Sequence, residues 1–280
     1  KIESWFKLNG SDYQVETVCH PSIDMIAAKI TSKAPTVICF RCPYPTGAHC
    51  DDACNWEAVD KHTTTIVTQN ESSAVLKHTL DSIEYFVTLY WEGKATFNEK
   101  AKHYFVLTPM DDHLAFACAF TSTAPSMQPV TVAQTQEEAK NYWNSFWKEG
   151  AAVDFSACTD PLAKELERRV VLSQYLLAIQ SAGTTPPQET GLTYNSWFGK
   201  FHLEMIWWHE AQFALWNRSN LLDRTLGWYE KAEPIARQIA QRQGFDGVRW
   251  MKMTDPSGTE APSKVGSFLI WQQPHLIYLA

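Results

Sequence analysis

The chain reads as a two-part β and α protein, an antiparallel β-sandwich followed by packed helices, and three observations lead there. Up to about residue 134, β-branched and aromatic residues recur in short runs, several with period two, separated by turn residues. At Thr135 the apolar spacing changes to that of a helix. Beyond it, helical patterns alternate with long loops rich in aromatic residues. A length of 280 residues, 45% hydrophobic and 20% charged, suffices for two domains with buried cores.

The strand segments follow one another at residues 12–20, 24–32, 35–42, 62–69, 74–80, 83–91, 103–109, 113–121 and 129–135. Asn9-Gly10, Pro21-Ser22, Asn70 and Glu92-Gly93 punctuate them. Many short strands of this kind make a sandwich over residues 1–134. Ala139, Tyr142, Trp143, Phe146 and Trp147 then lie three and four residues apart, so residues 135–158 hold a linker helix at the domain joint. The remainder, 159–280, is helical: one segment capped by Asp160 runs to Gly183, a second begins near Phe201 and a third covers about Leu222 to Gln243. The loops 183–199 and 244–266 are longer than connection demands, which marks functional segments.

A net charge of -7 without any run of lysine or arginine argues against a nucleic-acid or anionic-membrane surface. No stretch of about 18 apolar residues occurs that would span a bilayer. A small, largely uncharged substrate fits this balance better. The seven cysteines, at 19, 39, 42, 50, 54, 118 and 158, leave at least one unpaired in a monomer. His49, Cys50 and Cys54 invite a metal reading, but no second ligand pair at zinc-finger spacing follows. Buried thiols or a single disulfide account for the cysteines more simply, and no metal or organic cofactor is expected. The start, KIESWFKLNG, carries neither initiator methionine nor signal core, and SFLIWQQPHLIYLA ends on an apolar run. The expectation is a trimmed part of a longer, extracytoplasmic (periplasmic or secreted) protein whose C-terminal part packs on this one.

Chemistry concentrates after Gly191. GLTYNSWFGKFHLEMIWWHEAQFALW runs a loop dense in hydrogen-bonding side chains into an apolar helix, and seven tryptophans lie between Trp197 and Trp271. Flat aromatic faces suit the C–H face of a pyranose, and Asn195, His202, Glu204, His209, Lys252 and Gln273 can meet its hydroxyls. An ordinary aromatic core is the competing reading. If the helix starts near Phe201, Glu204 shares its apolar face with Trp207, Trp208, Ala211 and Leu215, and His202 lies on the same side as His209. A carboxylate there must be paired, hydrogen-bonded or protonated. Asp255 and Glu260 belong to a good β-turn sequence and read as solvated.

This order of domains resembles the six-hairpin glycosidases, in which a β-supersandwich and a linker helix precede an (α/α)6 barrel. The step from Gly199 to Glu204 after GLT, and GFDGVRWMKMTDPSGTE, look like the family 65 glycosidases and disaccharide phosphorylases. LEMIWWHEAQFALWNRSNLLD is similar to a helix of the family 95 α-fucosidases. Leu203 stands where family 65 has a tryptophan, and His202 falls near an asparagine position of family 95. The resemblance implies that Glu204 holds sugar hydroxyls in the first subsite, and that Arg249, Trp250 and Lys252 face substrate, Trp250 as a stacking surface. Trp271, Gln272, Gln273 and His275 would open the next inner helix, where a sugar or neighbouring backbone is the partner of their polar groups.

The substrate-binding set is thus Asn195, Trp197, His202, Glu204, Trp208, Arg249, Trp250, Lys252, Gln273 and His275. No catalytic residue is assigned, because in the resembling families the general acid lies in the second half of the barrel. The implied activity is hydrolysis of an α-linked glycoside with inversion. A disaccharide phosphorylase of the same fold and a carbohydrate-binding protein without turnover are the alternatives.

Overall fold

A computed structural model of the chain describes residues 1–49, 52–125 and 130–280. The chain divides into two compact units, Lys1–Pro45 with Cys54–Phe146, and Thr46–Ala53 with Trp147–Ala280.

The first unit is built from β1 (Ile2–Leu8), β2 (Ser11–Cys19), β3 (Met25–Thr31), β4 (Ile38–Arg41), β5 (Tyr44–Pro45), β6 (Cys54–Asn55), β7 (His62–Gln69), β8 (Ser73–Leu80), β9 (Ile83–Glu92), β10 (Ala95–Ala101), β11 (Tyr104–Pro109) and β12 (His113–Thr121). Seven of them form one antiparallel sheet in the order β1-β2-β3-β12-β9-β8-β7, and β10-β11-β4 form a second. The two sheets enclose a core. Leu76, Val87, Leu89, Trp91 and Leu114 of the large sheet meet Phe97, Phe105 and Leu107 of the small one. On the other face of the large sheet, small residues such as Ala27, Ala117 and Ala119 let α1 (Val132–Glu149) approach through Val132 and Ala139. Both faces are therefore covered near the middle, which is why β9 reads as a nearly continuous apolar run.

Three expectations change here. Residues 129–135 are not a strand: Pro129 lies outside the described residues, and α1 begins at Val132. Thr131 and Gln134 form a capping box, the Gln134 N–H donating to the Thr131 hydroxyl at 3.1 Å and the Thr131 N–H to the Gln134 side chain at 2.9 Å. The segment 35–42 is strand only over Ile38–Arg41. β1 and β10 lack a clean polar alternation because each is mostly exposed, and periodicity does not find them.

A buried histidine chain crosses the sandwich. His103 Nε2 meets the Val59 carbonyl at 2.9 Å, a pure acceptor, so this nitrogen carries the proton. His103 Nδ1 then accepts from the Thr64 hydroxyl at 2.9 Å. That hydroxyl accepts from His78 Nδ1 at 3.0 Å, and His78 Nε2 accepts from His62 Nδ1 at 3.3 Å. One carbonyl sets every tautomer along the row. Burial first, then His62 and His103, holds His78 down to about 4.

The second unit contains α2 (Ala163–Ser181), β13 (Phe201–His202), α3 (Ile206–Leu215), α4 (Ser219–Arg242), β14 (Met253–Thr254) and α5 (His275–Leu279). Asp160 accepts from the Leu162 N–H at 2.8 Å just ahead of α2. The expected helix start near Phe201 falls five residues later, because Phe201 and His202 instead pair with Thr254 and Met253 across β13 and β14. His202 therefore does not share a helix face with His209, and Glu204 precedes the helix. Trp271–Pro274 form a turn, so the last helix opens at His275. No helix among the described residues is long and apolar enough to cross a membrane. Cys19, Cys39, Cys42, Cys118 and Cys158 are free thiols.

Candidate functional site

Pairing of β13 with β14 joins the two long loops and assembles the polar cluster of the second unit. The Glu204 N–H donates to the Lys252 carbonyl at 3.3 Å, and the His202 N–H to the Pro187 carbonyl at 3.0 Å. The two side chains meet as well. Lys252 Nζ lies 3.0 Å from the Glu204 carboxylate and 4.0 Å above the centroid of Trp197. With side-chain exposures of 8% and 16%, Lys252 and Glu204 form a largely desolvated pair.

Trp197 is aimed by a strained turn. Trp197, Phe198 and Gly199 all have positive φ, at 45°, 64° and 67°. For the two aromatic residues this costs of the order of 1–2 kcal/mol each. Such strain persists where neighbours over-determine it. The Trp197 N–H donates to His49 Nδ1 at 2.9 Å, the two rings lie 4.4 Å apart, and Asn195 donates to the Ala48 carbonyl at 2.8 Å. His49 thus serves the turn; Cys50, its partner in the metal reading, lies outside the described residues. Gly258 (φ 88°) lets the Asp255–Thr259 turn close on α4, since an added Cβ would fall 2.9 Å from that of Ala232.

His202 sits at the centre and is 1% exposed. Its Nε2 stands 3.6 Å from Glu189 and 3.9 Å from Glu204. Neither is a hydrogen bond, and both ring nitrogens lack a partner among the described residues. Burial first, then Lys252 and His209, holds the ring down to about 4, so at neutral pH it is neutral and these contacts are not ion pairs. A neutral imidazole offers one donor and one acceptor.

A second group borders Glu204. His275, whose Nδ1 lies 3.3 Å from the Leu203 carbonyl, stands beside the rings of Trp208 and Trp271, at 6.0 and 5.9 Å. These two indoles meet edge to face at 5.3 Å and are 47% and 43% exposed. Burial lowers the His275 ring's proton affinity, while the nearby Glu204 raises it. Both indoles keep part of their surface open to solvent.

The remaining predicted residues hold the loops. Trp250 is 6% exposed and edge-on to Tyr229 at 4.8 Å, so its face is not open for stacking. The Gln273 amide is committed to the Trp250 backbone, accepting from its N–H at 2.9 Å and donating to its carbonyl. Arg249 donates to the carbonyls of Ser267 and Leu269, both at 2.9 Å. Asp255 accepts from the Ser257 and Thr259 N–H groups, and Glu260 pairs with Arg242 at 2.7 Å. The structure therefore groups Trp197, His202, Glu204 and Lys252, sets Trp208 and His275 beside them, ties Asn195, Arg249 and Gln273 to backbone and packs Trp250 against Tyr229. A groove of about 340 Å3 beside the end of α2, lined by Ile179, Pro187, Leu192 and Phe201 among others, contains none of the ten and no charged side chain.

Sequence reasoning missed His49 as a partner because it lies 148 residues before Trp197, and missed Glu189 although it stands just ahead of Gly191. It also missed Glu210. This residue is fully buried, its Oε1 lies 3.3 Å from the Thr225 hydroxyl, its Oε2 has no partner among the described residues, and burial pushes its carboxyl up to about 8. The polar letter inside the apolar run WWHEAQFAL was the available signal.

No protein-family model matches the chain. No curated protein matches it either. Among solved structures, the chain is similar to one described as "Putative kojibiose phosphorylase from human microbiome", with a TM-score of 0.68 and 12% identity over 99% of this chain. The match spans 40% of that longer chain. At this identity the likeness shows the fold alone: a large antiparallel-sheet domain followed by helices.

Proposed function

We propose that the chain is the sugar-binding part of an enzyme that cleaves an α-linked oligosaccharide or glycoconjugate, by hydrolysis with inversion at the anomeric carbon. The observation that carries this reading is His202, a buried neutral imidazole with two unpartnered nitrogens, held beside Glu189, Glu204 and Lys252. Sugar hydroxyls are donors and acceptors at once, and this set complements them. Glu204 and Lys252 take hydroxyls in the first subsite, Trp208 and Trp271 provide the stacking surface, and Trp197 orients Lys252. Helices α2 to α5 belong to an (α/α)6 barrel completed by a later segment of the same protein, which carries the general acid. The 40% coverage of the longer solved chain supports that division.

Phosphorolysis is the second reading, favoured by the likeness to a solved structure described as "Putative kojibiose phosphorylase from human microbiome". Full-length protein incubated with α-linked disaccharides, with and without inorganic phosphate, separates the two. Reducing sugar released without phosphate, with an inverted anomer in early product NMR, is the hydrolase result. Sugar 1-phosphate formed only with phosphate is the phosphorylase result. Binding without turnover would leave a carbohydrate-binding protein, and the absence of both binding and turnover would end the carbohydrate reading.

A further inference from the structure

β1 is the outer strand of the seven-stranded sheet, and among the described residues it pairs with β2 alone. All seven of its residues are exposed, Ile2 at 66% and Trp5 at 65%. A long apolar edge of this kind is a template for another strand, because its outward N–H and C=O groups are unpaired.

The turn to β2 decides which groups those are. Asn9-Gly10 is a two-residue connection with φ of 51° and 82°, the type I′ form. Leu8 and Ser11 flank it and exchange both hydrogen bonds, so Ile2, Ser4, Phe6 and Leu8 turn their backbone groups toward β2. Glu3, Trp5 and Lys7 turn theirs outward. An incoming antiparallel strand must meet these three with outward residues of its own.

A second copy of β1 does so in one register. Glu3 then lies opposite Lys7, Trp5 opposite Trp5 and Lys7 opposite Glu3, with all seven residues paired. One face carries two ion pairs flanking an indole contact. The other sets Ile2 against Leu8 and Ser4 against Phe6, so apolar residues meet at both ends. A shift of two residues one way brings Lys1 against Lys7, and the other way leaves Glu3 beyond the end of the strand.

We propose that β1 is a self-association edge, through which two copies of this chain join their sheets antiparallel about a twofold axis at Trp5. The charges of the single subunit agree. Glu3 lies directly across from Glu16, and Lys1 alone reaches both, at 2.5 and 3.4 Å. The partner's Lys7 adds a second cation beside two facing carboxylates.

Sedimentation equilibrium of the full-length protein tests this. The expected result is a dimer that dissociates on dilution. E3K and K7E each set like charges across the axis and give monomers; the double exchange E3K/K7E restores the pairs and the dimer, as does mixing the two single variants. W5P removes an outward N–H together with the indole while leaving the hydrogen bonds to β2 in place, so it gives a monomer with an unchanged far-UV circular dichroism spectrum. Mild oxidation reads the register directly even if other surfaces also associate: W5C cross-links to its own copy, and peptide mass mapping finds that link. A chain that stays monomeric at every concentration, or association that E3K, K7E and W5P all leave intact without the W5C cross-link, overturns the proposal.

Discussion

Lys252 holds its ammonium over the ring of Trp197 at 4.0 Å, and the same ammonium is 3.0 Å from Glu204. A cation placed between an indole face and a carboxylate needs both, since each offsets part of its lost hydration.

Removing that cation leaves Glu204 buried without its partner. Lys252→Met is expected to destabilise the second unit by about 3 kcal/mol, the usual scale for breaking one side of a buried pair. Lys252→Met with Glu204→Gln recovers more than half of the loss, because the stranded charge is gone. Urea unfolding of the four members of this cycle measures the coupling; equal losses in the single and double variants would show that the pair is not desolvated.

Strain at 197–199 separates two aromatic residues that look alike in sequence. Phe198 is 39% exposed with φ of 64°. Phe198→Gly relieves about 1 kcal/mol of backbone cost and keeps or raises the unfolding midpoint. Trp197→Gly lowers it, since that ring carries Lys252 and His49. A large loss of stability in Phe198→Gly would mean that its conformation is unstrained.

The carboxyl of Glu210 binds its proton more tightly in the fold, at about 8, than in the unfolded chain, where it titrates near 4.5. Its contribution is complete below 4.5 and is lost as pH rises through 8. Melting temperatures followed from pH 5 to 9 are expected to fall across this range. In Glu210→Gln the decline is shallower, and at pH 8 the variant melts above the parent. Parallel curves for the two proteins would remove Glu210 as the cause.

The histidine row has the opposite sign. His78, held down to about 4, is neutral in the fold and gains a proton more readily when unfolded, near 6.5. Stability from this group is complete above 6.5 and is lost as pH falls through 4. Acidification should therefore unfold the sandwich, and proton-detected nitrogen spectra at neutral pH should show the proton on Nε2 of His103 and on Nδ1 of His78 and His62. A different tautomer on His103 would break the assigned chain.

Much of the sandwich was legible because core strands announce themselves. β9 and β12 combine apolar density with flanking turns, and both appear where periodicity places them. β1 was not legible for the reason that makes it interesting: an edge strand with no buried face has no alternation to read. The start of α1 was written in the Thr131-to-Gln134 capping box, but β-branched residues around it gave a competing strand signal. In the site, Glu204 and Lys252 were singled out separately, and Trp197 with them. Their contact was not readable.

By itself the sequence determined that a β-rich half precedes a helical half, that charge is sparse and dispersed, and that aromatic and hydrogen-bonding residues gather after Gly191, all properties of local pattern and composition. Tertiary structure decided which of those residues face one another. Pairing of Phe201–His202 with Met253–Thr254 is a non-local choice made by backbone hydrogen bonding. It turns His202 inward, draws Lys252 to Glu204 and spends Gln273 and Arg249 on loop carbonyls. Burial then sets the proton affinities of His202 and Glu210 in opposite directions, because desolvation disfavours whichever form is charged.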